Sequence, residues 1–154
     1  IHRIGADMDI GGQPVIWVGA LAGIFMFLNV WLIIWPNQKI VMASNEQVLG
    51  GGEALPEAAG AAGKAGLASR TNTLFSLPML LFMVASGHLN GLGGLPMGAE
   101  MGVSSTASAV AVILILAIEA NAIKGKMGPM ASVVGVVHLG VALAAVLLVV
   151  VQYL

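Results

Sequence analysis

The chain contains no cysteine. That absence excludes disulfides, thiolate metal sites, iron–sulfur clusters and a covalently attached c-type haem, whose attachment needs C-x-x-C-H. A redox centre bound here must therefore use histidine or belong to a partner. Charge is almost as scarce: Asp, Glu, Lys and Arg make up 8% of the 154 residues, against roughly 25% in a soluble domain. A chain of this length has no charged shell with which to stay dispersed in water. The formal net charge of -1 offers no basic surface for nucleic acid and no polybasic patch for anionic lipid.

What fills the sequence instead is apolar: 58% of residues are hydrophobic and the mean hydropathy is +0.98. This is the composition of an integral membrane protein. A helix needs about 20 apolar residues to cross a bilayer, and four runs reach that length, over residues 15–35, 73–91, 104–123 and 130–153. Pro14 opens the first and Pro36 is expected to close it. "GLGGLPMG" and "KGKMGP" punctuate the later ones. The runs are continuous and do not alternate, which argues against a closed barrel. The expected fold is all-α, a single membrane domain of four transmembrane helices. The chain opens on Ile1, and its first fourteen residues are unlike a signal peptide, which leaves open whether residues precede it.

Lys and Arg near span ends favour the cytoplasm. Lys39, Lys64 and Arg70 lie between spans one and two, and Lys124 and Lys126 between three and four, with Arg3 alone on the other side. Both termini are therefore expected outside, with Trp17 and Tyr153 at the outer interface and Trp35 at the inner one. The stretch over residues 43–72, rich in Gly and Ala, reads as a cytoplasmic interfacial excursion with a weak surface helix starting near Pro56.

Polar side chains inside the spans are costly, so each is paired or functional. At 1.5 Å per residue, Asn29, Glu119 and His138 fall at one inner level and His88 near the outer end of span two. The inner trio suits a proton relay or a quinone pocket. The alternative is a Glu119–Lys124 pair one turn apart, with His138 bonded to nearby backbone. His88 and His138 are candidate ligands of a b-type haem, but their depths differ by about 10 Å, so one shared haem needs strong tilt or a histidine from another subunit. The nine methionines lie mostly in apolar runs and read as packing rather than copper ligands. "HRIGADMD" groups His2, Asp7, Met8 and Asp9 in a weak candidate metal site. Gly19 and Gly23, Ser104 and Ser108, and Gly140 and Ala144 repeat the small-xxx-small spacing of tightly packed membrane helices.

The blocks "GALAGIFMFLNVWLIIWPNQKIVMA", "LASRTNTLFSLPMLLFM" and "SGHL" resemble the second half of the urate oxidase N-terminal membrane domain, over about residues 17–90. That family includes bacterial cytochrome c-linked membrane urate oxidases. The resemblance carries over Pro36, Asn37, Gln38 and Lys39 at a helix end, then Asn72, Leu77, Pro78 and His88 in the next helix. It implies that Asn37 and Gln38 bind back to Arg70 and Asn72, fixing the hairpin. It also implies a multi-pass subunit in the bacterial inner membrane, within a cytochrome c-linked or respiratory electron-transfer complex. Its partners would be other membrane subunits and a c-type cytochrome, and haem b or quinone would be the cofactor. Family members have about eight spans and usually a C-terminal cytochrome c domain; four spans without cysteine point to an anchoring or accessory role. The alternative is a purely structural helical subunit.

Overall fold

The computed structural model describes residues 13–88 and 102–154. The "HRIGADMD" segment and the "GLGGLPMG" connection lie outside the described residues. Four helices are long and apolar enough to cross a membrane, as the hydrophobic runs require.

The first departs from expectation at Pro36. Helix α1 (Ile16–Leu28) passes through a π-helical turn (Asn29–Ile34) straight into α2 (Trp35–Leu49), forming one rod of 34 residues. Proline has no N–H to donate, and its ring crowds the carbonyl four residues back. A widened turn before it relieves that crowding. The Trp35 N–H donates to the Val30 carbonyl, five residues back, and the Asn37 side-chain amide donates to the Ile33 carbonyl at 2.7 Å. With a side chain serving the backbone, the proline is absorbed and the helix continues.

The interfacial excursion is likewise replaced by helix. α2 runs to Leu49, the chain turns through "GGGEALPE" with Gly51 at φ 85°, and α3 (Ala58–His88) begins just after Pro56. A positive φ there favours glycine. The Leu55 N–H donates to Ser44 Oγ at 3.0 Å, which ties the turn to the buried side of α2. Helices α4 (Ser105–Lys124) and α5 (Val133–Tyr153) are each opened by a serine, Ser104 and Ser132, whose hydroxyl accepts an N–H of the first turn.

The helices are of two lengths. At 1.5 Å per residue the α1–α2 rod is about 50 Å long and α3 about 46 Å, while α4 and α5 are near 30 Å, the thickness of a bilayer's hydrocarbon core. At one end the helices are levelled. There β1 (Gln13–Pro14) pairs antiparallel with β2 (Gly102–Val103), and Ser104 Oγ donates to the Leu154 carbonyl at 2.7 Å. The excess length of α2 and α3 therefore emerges at the other end as a helical hairpin.

Helix α3 is the hub, packed against α1, α2, α4 and α5. Small residues let its neighbours approach. A Cβ on Gly19 would lie 2.9 Å from the Met79 carbonyl oxygen. Pro78, inside α3, deprives the Leu74 carbonyl of its usual N–H donor, and Gly140 of α5 sits against that same oxygen, where a Cβ would come within 3.1 Å. Around these contacts Phe75, Phe82, Ile115 and Leu147 are fully buried.

Gly19→Ile should therefore force α1 away from α3 and destabilise the bundle by about 1–3 kcal/mol. Gly60→Ala, where a Cβ meets nothing within 4 Å, should leave stability unchanged or raise it by up to about 1 kcal/mol. Thermal unfolding of both variants in the same detergent checks the contrast; equal effects would contradict the close approach.

Candidate functional site: a buried amide and carboxylate cluster

Three helices bring polar side chains to one point in the bundle. On α4 the buried positions Ala111, Ile115, Glu119 and Ala122 follow the helical period, so the carboxylate is carried inward by the stripe that packs the core. On the first rod Val18, Ala22 and Asn29 form the corresponding stripe. Asn29 is 1% exposed and Glu119 7%, while Asn72 on α3 is half-buried.

The hydrogen bonds are specific. Asn29 Nδ2 donates to Asn72 Oδ1 and to Glu119 Oε2, each at 3.0 Å, and Asn72 Nδ2 donates to the Met26 carbonyl at 3.0 Å. That carbonyl belongs to the last turn of α1, immediately before the π-helical turn that starts at Asn29. Helix widening and side-chain clustering therefore coincide, as π-turns at functional positions often do. One atom is left out: Asn29 Oδ1 is buried with no hydrogen-bond partner, an omission that costs about 1–3 kcal/mol in a low-dielectric interior.

The inner pair expected from depth, Asn29 and Glu119, is thus brought into direct contact. Several sequence-based expectations are corrected. Glu119 is held by Asn29 and not by Lys124, which is exposed. Five residues of helix turn a side chain about 140° away, so burial of one places the other outside the bundle. Asn37 bonds within its own helix to Ile33, Gln38 is exposed, and neither reaches Asn72, whose amide is occupied by Asn29 and Met26. Arg70 is half-buried and forms no ion pair among the described residues. Trp35 is about half exposed.

His138 does not join the cluster. It is exposed on α5, and its Nδ1 lies 2.7 Å from the Val134 carbonyl. Because that carbonyl can only accept, Nδ1 carries a proton in this contact. His88 ends α3, and its side chain lies outside the described residues. The described residues do not fit a haem held within this bundle: His138 faces outward, and side chains fill the interior. A separate groove of about 310 Å³ between α1 and α4 is lined by Trp17, Val18, Leu21, Val103, Ala111 and Val112. It is apolar and separate from the cluster: its nearest lining residues, Leu21 and Val112, are about 12 and 10 Å along their helices from Asn29 and Glu119.

The Asn29–Asn72 contact is not legible in the sequence. The resemblance pairs Asn72 with the Pro-Asn-Gln phrase only if the first helix ends at Pro36, and it does not. Asn29 is a lone amide within an apolar run, whereas Asn72 sits among Ser69, Arg70, Thr71 and Thr73 and gives no such signal.

The urate oxidase N-terminal family model matches residues 11–151, and the chain belongs to that family. The match extends the resemblance well beyond Asn90, through α4 and nearly to the end of α5. No curated protein and no solved structure matches the chain.

The Asn29–Glu119 bond can be weighed by a double-mutant cycle of Asn29→Ala and Glu119→Ala. A coupling of about 1–2 kcal/mol is expected for a buried hydrogen bond to an acid. Lys124→Ala should leave stability within about 0.5 kcal/mol of the parent. Coupling of Glu119 to Lys124 but not to Asn29, read from unfolding in detergent, would contradict the arrangement.

Proposed function

We propose that the chain is an integral membrane subunit of a cytochrome c-linked or respiratory electron-transfer complex of the bacterial inner membrane, with an anchoring or accessory role. The observation that carries this reading is family membership across residues 11–151, joined to four membrane-length helices. The family resembles the membrane part of cytochrome c-linked urate oxidases. The purine named in the family's description is not carried over, because fold likeness does not transmit substrate and the described groove is apolar.

In this reading Lys39, Lys64, Arg70, Lys124 and Lys126 put the projecting hairpin in the cytoplasm and both termini outside. Other membrane subunits pack on the exposed apolar faces, and a c-type cytochrome docks at the outer side. Asn29 and Glu119 are the groups that would meet a quinone or a proton. His88 and His138 would bind haem b only together with a ligand from another subunit. A purely structural role is the second reading, favoured by the close helix contacts at Gly19 and Gly140, which leave the interior filled by protein.

Purifying the tagged chain from native membranes in mild detergent separates the two. Reduced-minus-oxidised absorbance spectra should show a c-type cytochrome accompanying the chain, and His88→Ala or His138→Ala should weaken any b-type signal. A complex with no haem protein in it would leave the structural role standing alone.

A further inference from the structure

The cluster around Asn29 is one donor short. Both Nδ2 hydrogens of Asn29 are committed, to Asn72 Oδ1 and Glu119 Oε2, and Asn72 Nδ2 is engaged by the Met26 carbonyl. Asn29 Oδ1, on a side chain 1% exposed, has nothing to accept from. Among the described residues the carboxylate beside it lacks a cation as well. Their charged or titratable side chains on the packed helices are Lys39 and Glu46 on α2, Lys64 and Arg70 on α3, Lys124 on α4, and His138 and Tyr153 on α5, and no cation among them lies within 4.0 Å of Glu119. A buried carboxylate without a cation and an amide oxygen without a donor are complementary deficits, and one hydrogen ion on Glu119 meets both.

We propose that Glu119 is an intramembrane proton-binding site, held in both protonation states by the Asn29 amide. In the ionised state Asn29 Nδ2 donates to Oε2, as observed. When a proton binds the other carboxyl oxygen, Oε1, the new hydroxyl donates to Asn29 Oδ1 while Oε2 still accepts from Nδ2, closing a two-bond acid–amide ring. The terminal torsions of Glu and Asn side chains are broad, so the two planar groups can align. Asn29 Nδ2 keeps its bond to Asn72 Oδ1, and no group of the cluster loses a partner. The balance is simple: a carboxylate and a hydrogen ion become a carboxylic acid, no electrons move, and the cluster loses one negative charge. The π-helical turn beginning at Asn29 places the amide where the backbone is already wider than α-helix.

This inference does not depend on the electron-transfer reading, because the chain by itself holds every group it uses. It is tested on the full chain in lipid nanodiscs by infrared difference spectroscopy, stepping from alkaline to acidic pH. The other carboxylates are common to parent and variant, so subtracting the Glu119→Gln spectra isolates the buried group. The expected result is a carbonyl band of a protonated acid that is lost in Glu119→Gln and displaced in frequency in Asn29→Leu, with helix content of both variants unchanged by circular dichroism. Absence of any Glu119-dependent acid band across the pH range, or a band untouched by Asn29→Leu, overturns the proposal. Should Asn29→Leu fail to fold, Asn72→Leu serves in its place: removing the other acceptor of the Asn29 amide should displace the same band, and an unchanged band would again overturn it.

Discussion

The hydrogen bonds that Asn29 sends to Asn72 and Glu119 join the first rod, α3 and α4 inside the bundle. In hydrocarbon an unmet polar group costs several kcal/mol, so the rest of the bundle has to hold those three helices in register. Close contact at Gly19 and Gly140 brings the outer helices onto α3, and the serine caps and the short strand pair level their ends. The cluster is the most demanding part of the fold and holds its buried carboxylate, since the other buried polar residues described, Ser44 and Thr71, are hydroxyls bonded to backbone.

Proline is handled differently on the two long helices. Pro36 is preceded by a π-turn, and the Asn37 amide serves a neighbouring carbonyl. Pro78 leaves its carbonyl to face Gly140 of the adjacent helix, where a Cα–H can make a weak contact. In both cases a backbone carbonyl beside the proline is met by protein, as polar backbone in a membrane requires.

Much of the architecture was legible because hydropathy reports burial in lipid directly. The runs at residues 104–123 and 130–153 differ from α4 and α5 by only a few residues. The first two runs gave the apolar part of their helices but not the extensions into water, since outside the bilayer "WPNQKIVMASNEQVL" and "AAGAAGKAGLASR" are polar or weakly helical and owe their order to packing on each other. Pro36 misled for the same reason: the local rule stops a helix, whereas tertiary contacts sustain it. In the site, depth along the helix placed Asn29 and Glu119 together, because rise per residue is fixed. Depth alone could not exclude His138, which shares the expected level but points outward. Azimuth around the helix separates them, and the Val-rich α5, apolar on nearly every side, gives no azimuthal signal.

The position of the cluster along the chain also orders its assembly. Synthesis runs from Asn29 through Asn72 to Glu119, so both amides enter the bilayer before the acid does. Asn72 can secure the Met26 carbonyl as soon as α3 pairs with α1, since both groups lie on those two helices. The costliest side chain in the sequence is thus the last of the three to leave the translocation machinery, and it arrives at a helix pair whose amide is already in place to receive it.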